Sequence, residues 1–183
     1  MPKLIAIICL VFGVSSAASA AAPSNYNVEI VVFENQMPEL EGGENLAGNR
    51  PRDLVADLAI AELPAAPTGE GELAAVVQAL EKDTHYRILA HQQWTQTAEA
   101  KSATKPVRIS DAGQKLDGVF RFYLSRFLHV EMNLVLQDGA AINPGDTPVY
   151  RLQEHRRVRT QELHYFDHPK FGALVRVTAA AKP

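Results

Sequence analysis

Between Glu154 and His168 (EHRRVRTQELHYFDH) three arginines, three histidines and a tyrosine fall within fifteen residues. If the first part of that run is a strand, His155, Arg157 and Arg159 project from one face about 7 Å apart. Guanidinium groups bind carboxylates through paired, charge-assisted hydrogen bonds, so the ladder suits an anionic or carbohydrate ligand. Arg156 points the other way with Glu154 and Glu162 and suits ion pairing inside the fold. A plain solvated sheet face is the competing reading. Trp94, Tyr123, Tyr165 and Phe166 supply rings that can stack on a sugar while arginine and histidine donate hydrogen bonds. Each ring serves equally well in a core, and Trp94, at the end of an apolar strand face, suits the core better.

Catalytic patterns are thin. His164 and His168 stand four apart, a spacing that on a helix lets two imidazoles share a metal, with His129 or Glu131 as the third ligand. No HExxH glutamate is present and Pro169 closes the segment, so a turn in which Asp167 and His168 bond the backbone is the other reading. Ser125 and His129 lack the GxSxG elbow and on a strand stand about 13 Å apart. Glu131 and Glu154 form a carboxylate pair only if the fold sets their separation. With no glycine-rich phosphate loop either, the expectation is a binding protein, not an enzyme, with no cofactor and no resident metal.

The elements that must position these groups follow from periodicity. Asn27 to Phe33 (NVEIVVF) reads as a buried strand. Glu34 to Gly71 loosens into Gly, Pro, Asn and acidic residues, a long connection placed at about 35–70. Leu73, Val76, Val77 and Leu80 form one stripe of a helix over Gly71 to Lys82. Tyr86 to Trp94 alternates as a strand. From Val119 to Gln137 the apolar residues Phe120, Phe122, Leu124, Leu128, Val130, Met132, Leu134 and Leu136 all have even numbers, with one interruption at Arg126. No Gly, Pro, Asn or Asp separates the halves, so the run reads as one long strand bent near Ser125-Arg126. Asp138 to Pro148 reverses the chain, Val149 to Thr160 returns as a strand, Asp167-His168-Pro169 turns again, and Ala173 to Thr178 ends the sheet. The expected fold is α+β: a single domain, mainly antiparallel sheet, with a long bent strand and at least one packed helix.

The N-terminus reads as an export signal. Lys3 supplies the positive end, Leu4 to Val14 an apolar run too short to span a bilayer, and Ala18-Ser19-Ala20 a cleavage site, dividing the chain into a 1–20 signal peptide and a 21–183 domain. Cys9, the only cysteine, leaves with the signal, so disulfide and thiol chemistry are excluded from the mature protein. Residues 23–100 carry 4 basic and 13 acidic side chains, residues 101–183 carry 13 and 8. The basic back half fits nucleic acid, anionic lipid or an acidic polymer, and export disfavours nucleic acid.

Three segments, Asn27 to Glu34 (NVEIVVFE), Leu116 to Leu136 (LDGVFRFYLSRFLHVEMNLVL) and Tyr150 to Val177 (YRLQEHRRVRTQELHYFDHPKFGALVRV), together resemble the CsiV family of periplasmic peptidoglycan-binding proteins. The most distinctive runs are SRFLHV and RRVRTQELHYFDHPKFG. The resemblance implies a non-enzymatic periplasmic protein that binds peptidoglycan and supports cell-wall assembly and cell shape, with a penicillin-binding synthase or its lipoprotein activator as a further partner. It carries over the positions Arg126, His129, Arg156, Arg157, Arg159, Glu162, His164, Tyr165, Asp167 and His168. The candidate ligand-binding set is His155, Arg157, Arg159, Arg126, His129, His164, Tyr165 and His168, with strand parity favouring His155, Arg157 and Arg159 as contacts. A module that docks the synthase or its activator without binding glycan is the alternative, followed by a metal-dependent hydrolase using His129, His164 and His168.

Overall fold

The computed structural model describes residues 25–37, 59–137 and 148–180. The segment expected to be a signal peptide, residues 38–58 of the acidic connection and most of the turn expected at Asp138 to Pro148 lie outside the described residues.

Strand β1 (Asn25–Asn35) is followed by helix α1 (Ala74–Lys82), β2 (Tyr86–Thr97), β3 (Val107–Ser110), β4 (Leu116–Leu124), β5 (Leu128–Gln137), β6 (Val149–Arg157), β7 (Leu163–His168) and β8 (Phe171–Ala179). They form two four-stranded sheets, β2-β1-β8-β7 and β3-β4-β5-β6, in which every neighbouring pair is antiparallel. The α+β expectation is therefore corrected. The protein is mostly antiparallel β, and its one described helix, nine residues long, is an appendage to a two-sheet architecture. Among the described residues no helix is long and apolar enough to cross a membrane.

The long bent strand is corrected as well. It is a hairpin, β4 and β5, turning at Ser125-Arg126-Phe127, with Leu124 paired to Leu128. Residues directly opposite in a hairpin share a face. Every β4–β5 pair sums to an even number, so a three-residue turn carries the even-numbered apolar set from one strand to the next unbroken. Alternation alone cannot distinguish that from a single strand. The turn also lacks the usual residue types for a reason: none of its residues has a positive φ, and it is closed by the Ser125 N–H donating to the Phe127 carbonyl at 2.9 Å.

Alternation then builds the core. Val28, Ile30 and Val32 of β1, Phe120 and Phe122 of β4, Val130 to Leu136 on the even positions of β5, Leu152 of β6, Phe166 of β7 and the odd positions of β8 meet in one cluster between the sheets. Trp94 is fully buried there, edge-on to Phe120 at 5.4 Å.

Sheet β2-β1-β8-β7 is covered on its outer face too, which explains why β1 is buried continuously from Val28 to Glu34 and apolar on both faces around Glu29. Leu73, Val76, Val77 and Leu80 lay the helix over Val31, Phe33 and Leu174. Glu29, 5% exposed, fastens the start of that helix: one carboxylate oxygen accepts from the Leu73 N–H at 3.1 Å, the other lies 2.7 Å from His91 Nε2. Gly71 passes so close that a Cβ there would sit 2.0 Å from the Glu29 carboxylate. Before the helix, the Ala61 N–H donates to Pro106 and Ala65 accepts from the Thr95 N–H, so this stretch runs beside β3 and β2.

Candidate functional site

The outer face of sheet β3-β4-β5-β6 carries no helix among the described residues. Its odd-numbered side chains line up as cross-strand rungs: Asp117, Val135 and Arg151; Val119, Asn133 and Gln153; Arg121, Glu131 and His155; Tyr123, His129 and Arg157. Period-two geometry places one side chain from each strand in every rung, and the register sets which three meet.

The last two rungs form a cluster of cations and rings. Tyr123 stacks on His129 at 5.2 Å and His129 on His155 at 5.3 Å, while a 2.8 Å hydrogen bond joins the Tyr123 hydroxyl to His155 Nε2. Lys101, from the loop after β2, stands over the Tyr123 ring at 5.5 Å and pairs with Glu131 at 2.9 Å. Arg121 approaches the same carboxylate at 3.6 Å. At the turn, the Arg157 guanidinium lies 3.5 Å from the centre of the Phe127 ring, which Arg126 also approaches at 5.5 Å. Cation–aromatic contact of this kind holds a guanidinium in place and leaves its edge N–H groups for a ligand. Phe127 and Leu124 stay more than a third exposed, an unusual amount of apolar surface beside so much charge.

Lower on the face, Asp117 is nearly buried and held by Arg108, whose Nε and Nη2 donate to its two carboxylate oxygens at 2.7 and 2.9 Å. That pair closes the far end. Between the two ends lies a groove of about 420 Å³ over Val119, Arg121, Asn133, Gln153 and His155.

The structure gathers four of the eight candidate residues, Arg126, His129, His155 and Arg157, on this face. The others lie elsewhere. Arg159 follows the end of β6 in an exposed turn, 3.4 Å from Glu162, and His164 bonds the backbone of Arg159. Tyr165 is on the outer face of the opposite sheet, stacked on Phe33 at 6.2 Å, its hydroxyl donating to Asp167 at 2.5 Å. His168 closes β7 between the rings of Tyr150 and Phe171, its Nδ1 accepting from the Lys170 N–H at 3.1 Å. Arg156 donates to the Tyr165 carbonyl at 2.8 Å, covers Phe166 at 4.6 Å and stands 3.7 Å from Glu154.

The segment holding His164 and His168 is strand β7 and not a helix; the turn follows it at Pro169-Lys170, where His168 bonds the backbone as the turn reading expects. On a strand, residues four apart stand about 13 Å from each other, too far to share a metal ion. His129 belongs to the other sheet, and no group of three metal-ligating side chains occurs among the described residues. Lys101, Arg121, Tyr123 and Phe127 complete the face. Strand parity with the even core residues marks Arg121 and Tyr123, and the break in alternation at Arg126 marks the turn; nothing local marks Lys101.

Burial lowers the pKa of His129, and the nearby His155, Arg157 and Lys101 charges push it the same way; burial is also the main cause of lowering at His168. The unfolded chain therefore takes up these protons first. Stability from the neutral rings is complete above the ordinary imidazole value near 6.5 and is lost as pH falls through it toward the folded-state values. The urea midpoint should be lower at about pH 5.5 than at about pH 7.5, and His168→Phe should reduce the difference. Equal midpoints at both pH values would count against burial of these rings.

A family model described as "Peptidoglycan-binding protein, CsiV" matches residues 3–180. No curated protein and no solved structure matches the chain.

Proposed function

The chain belongs to the CsiV family of peptidoglycan-binding proteins, and from that premise we propose that the outer face of sheet β3-β4-β5-β6 is its cell-wall-binding surface. The observation that carries the proposal is the Tyr123-His129-His155 stack flanked by Lys101, Arg121, Arg126 and Arg157. Peptidoglycan joins a glycan, whose sugar faces stack on rings, to peptides rich in carboxylates, which pair with guanidinium groups. Tyr123 is itself buried and supports the cluster from beneath, so the rings open to a sugar are those of exposed His155 and Phe127, beside the guanidinium groups.

We further propose that the protein works in the periplasm as a non-enzymatic accessory factor in cell-wall assembly and cell shape, with a wall synthase or its activator as partner. Support comes from the residue pattern at 1–20, which reads as an export signal, and from a basic back half suited to an acidic polymer.

Purified sacculi should retain the protein, and Arg157→Ala should weaken retention roughly ten-fold, the scale of one charge-assisted hydrogen bond. Arg159→Ala removes a turn residue paired with Glu162 and should change retention by less than about two-fold. Unchanged binding after loss of Arg157, or an equal loss from Arg159→Ala, would move the surface off this face.

A further inference from the structure

The groove over the middle rungs differs in chemistry from the cationic end beside it. Its floor is Val119, with the buried ring of Pro106 at one side. Asn133 and Gln153 supply two side-chain amides. Asn133 Oδ1 accepts from Arg151 Nε at 2.8 Å, which leaves the Asn133 amide N–H₂ as a donor. Arg121 Nε is buried without a hydrogen-bond partner, an uncommon state for a charged donor. Glu131, in the same rung, supplies an acceptor and is held in place by Lys101.

An apolar patch one side chain wide, two side-chain amides, an acceptor and the part-exposed outer nitrogens of the Arg121 guanidinium together complement an acetamido group. The Asn133 amide or an outer guanidinium N–H donates to its carbonyl, the carboxylate or an amide oxygen accepts from its N–H, and its methyl rests on Val119. A peptide carboxylate fits less well here, because Glu131 and Glu154 both line the groove and would repel it. At the turn end, Arg126 and Arg157 pack on Phe127 and are better placed for carboxylates. The volume of about 420 Å³ lies within the roughly 300–1,000 Å³ of ordinary small-molecule sites.

We propose that the groove over Val119, between Arg121, Asn133 and Gln153, is a subsite for a 2-acetamido sugar, so that the face reads the glycan in its middle and the peptide carboxylates at its turn end. The inference rests on the cell-wall-binding reading of this face and adds which part of the polymer each end takes.

The test uses the N-acetylglucosamine tetramer, its deacetylated glucosamine counterpart and intact sacculi, each offered to the full mature chain. The acetylated tetramer should bind at least ten-fold more tightly than the glucosamine tetramer. Arg121→Ala and, separately, the exposed substitution Gln153→Ala should each weaken it several-fold, with folding checked by thermal melting. Equal binding of the two tetramers overturns the acetamido assignment. No binding of the acetylated tetramer by protein that sacculi still retain overturns the subsite and leaves the cell-wall reading intact, whereas loss of both ligands overturns the two together.

Discussion

Replacing Trp94 with alanine should cost roughly 3–5 kcal/mol of folding stability, the range for deleting a buried tryptophan. The total stability of a domain this size is about 5–15 kcal/mol, so the variant would lose a large share of it. Trp94 belongs to β2 in one sheet and meets Phe120 of β4 in the other, edge to face at 5.4 Å, so its removal opens a cavity where the two sheets touch. Its indole N–H donates to Gln96 Oε1 at 2.7 Å, and the Gln96 amide donates onward to the Phe122 carbonyl at 3.0 Å, a second link across the same junction. Trp94→Phe keeps most of the ring but breaks that relay, and should cost about 1–2 kcal/mol. Urea unfolding would report both as shifts in midpoint at nearly constant slope. A loss below about 1 kcal/mol for the alanine variant would mean that the sheets do not share this contact.

The second large effect is expected to be non-additive. Gly71→Ala places a methyl group 2.0 Å from the Glu29 carboxylate, which is itself engaged with the Leu73 N–H and His91. Either the carboxylate moves and abandons a buried N–H, or the segment entering α1 lifts from the sheet. Each outcome costs on the order of 1–3 kcal/mol. Glu29→Ala alone should cost a similar amount, because it leaves the Leu73 N–H unsatisfied. In the double variant the new methyl group has no carboxylate to strike, so the combined loss should be close to that of Glu29→Ala alone, a coupling of about 1–3 kcal/mol. Strict additivity in a double-mutant cycle would show that the crowding is not between these two residues.

Much of this fold was legible in the sequence, to an uneven depth. Five segments marked by periodicity or by a short apolar run correspond to β1, α1, β2, β6 and β8, with ends shifted by a few residues. The even-numbered core residues of β4 and β5 mark one buried face but do not reveal two strands, since a hairpin with an even pairing sum preserves parity. β3 and β7 carry no such pattern. β3 is four residues long, too short for a period to register. In β7 the His-Tyr-Asp-His composition hides a single core residue, Phe166, behind residue types usual in turns.

The candidate site divides along the same line. Parity within one strand was enough to put His155 and Arg157 on a common face, because alternation is a local property of an extended backbone. Arg159 shows its limit, since parity stops where the strand does. The character of the surface, basic in the back half and expected outside the cytoplasm, and the family likeness were also available from residue types and order. Which side chains stand together was not. Lys101 reaches Glu131 and Tyr123 through the loop after β2, and Tyr123, His129 and His155 become a stack only through the register of β4 against β5 and of β5 against β6. Register and sheet assignment depend on pairings between distant parts of the chain. A single strand's pattern therefore says which way its side chains point, while the partners they meet are settled when the sheets assemble.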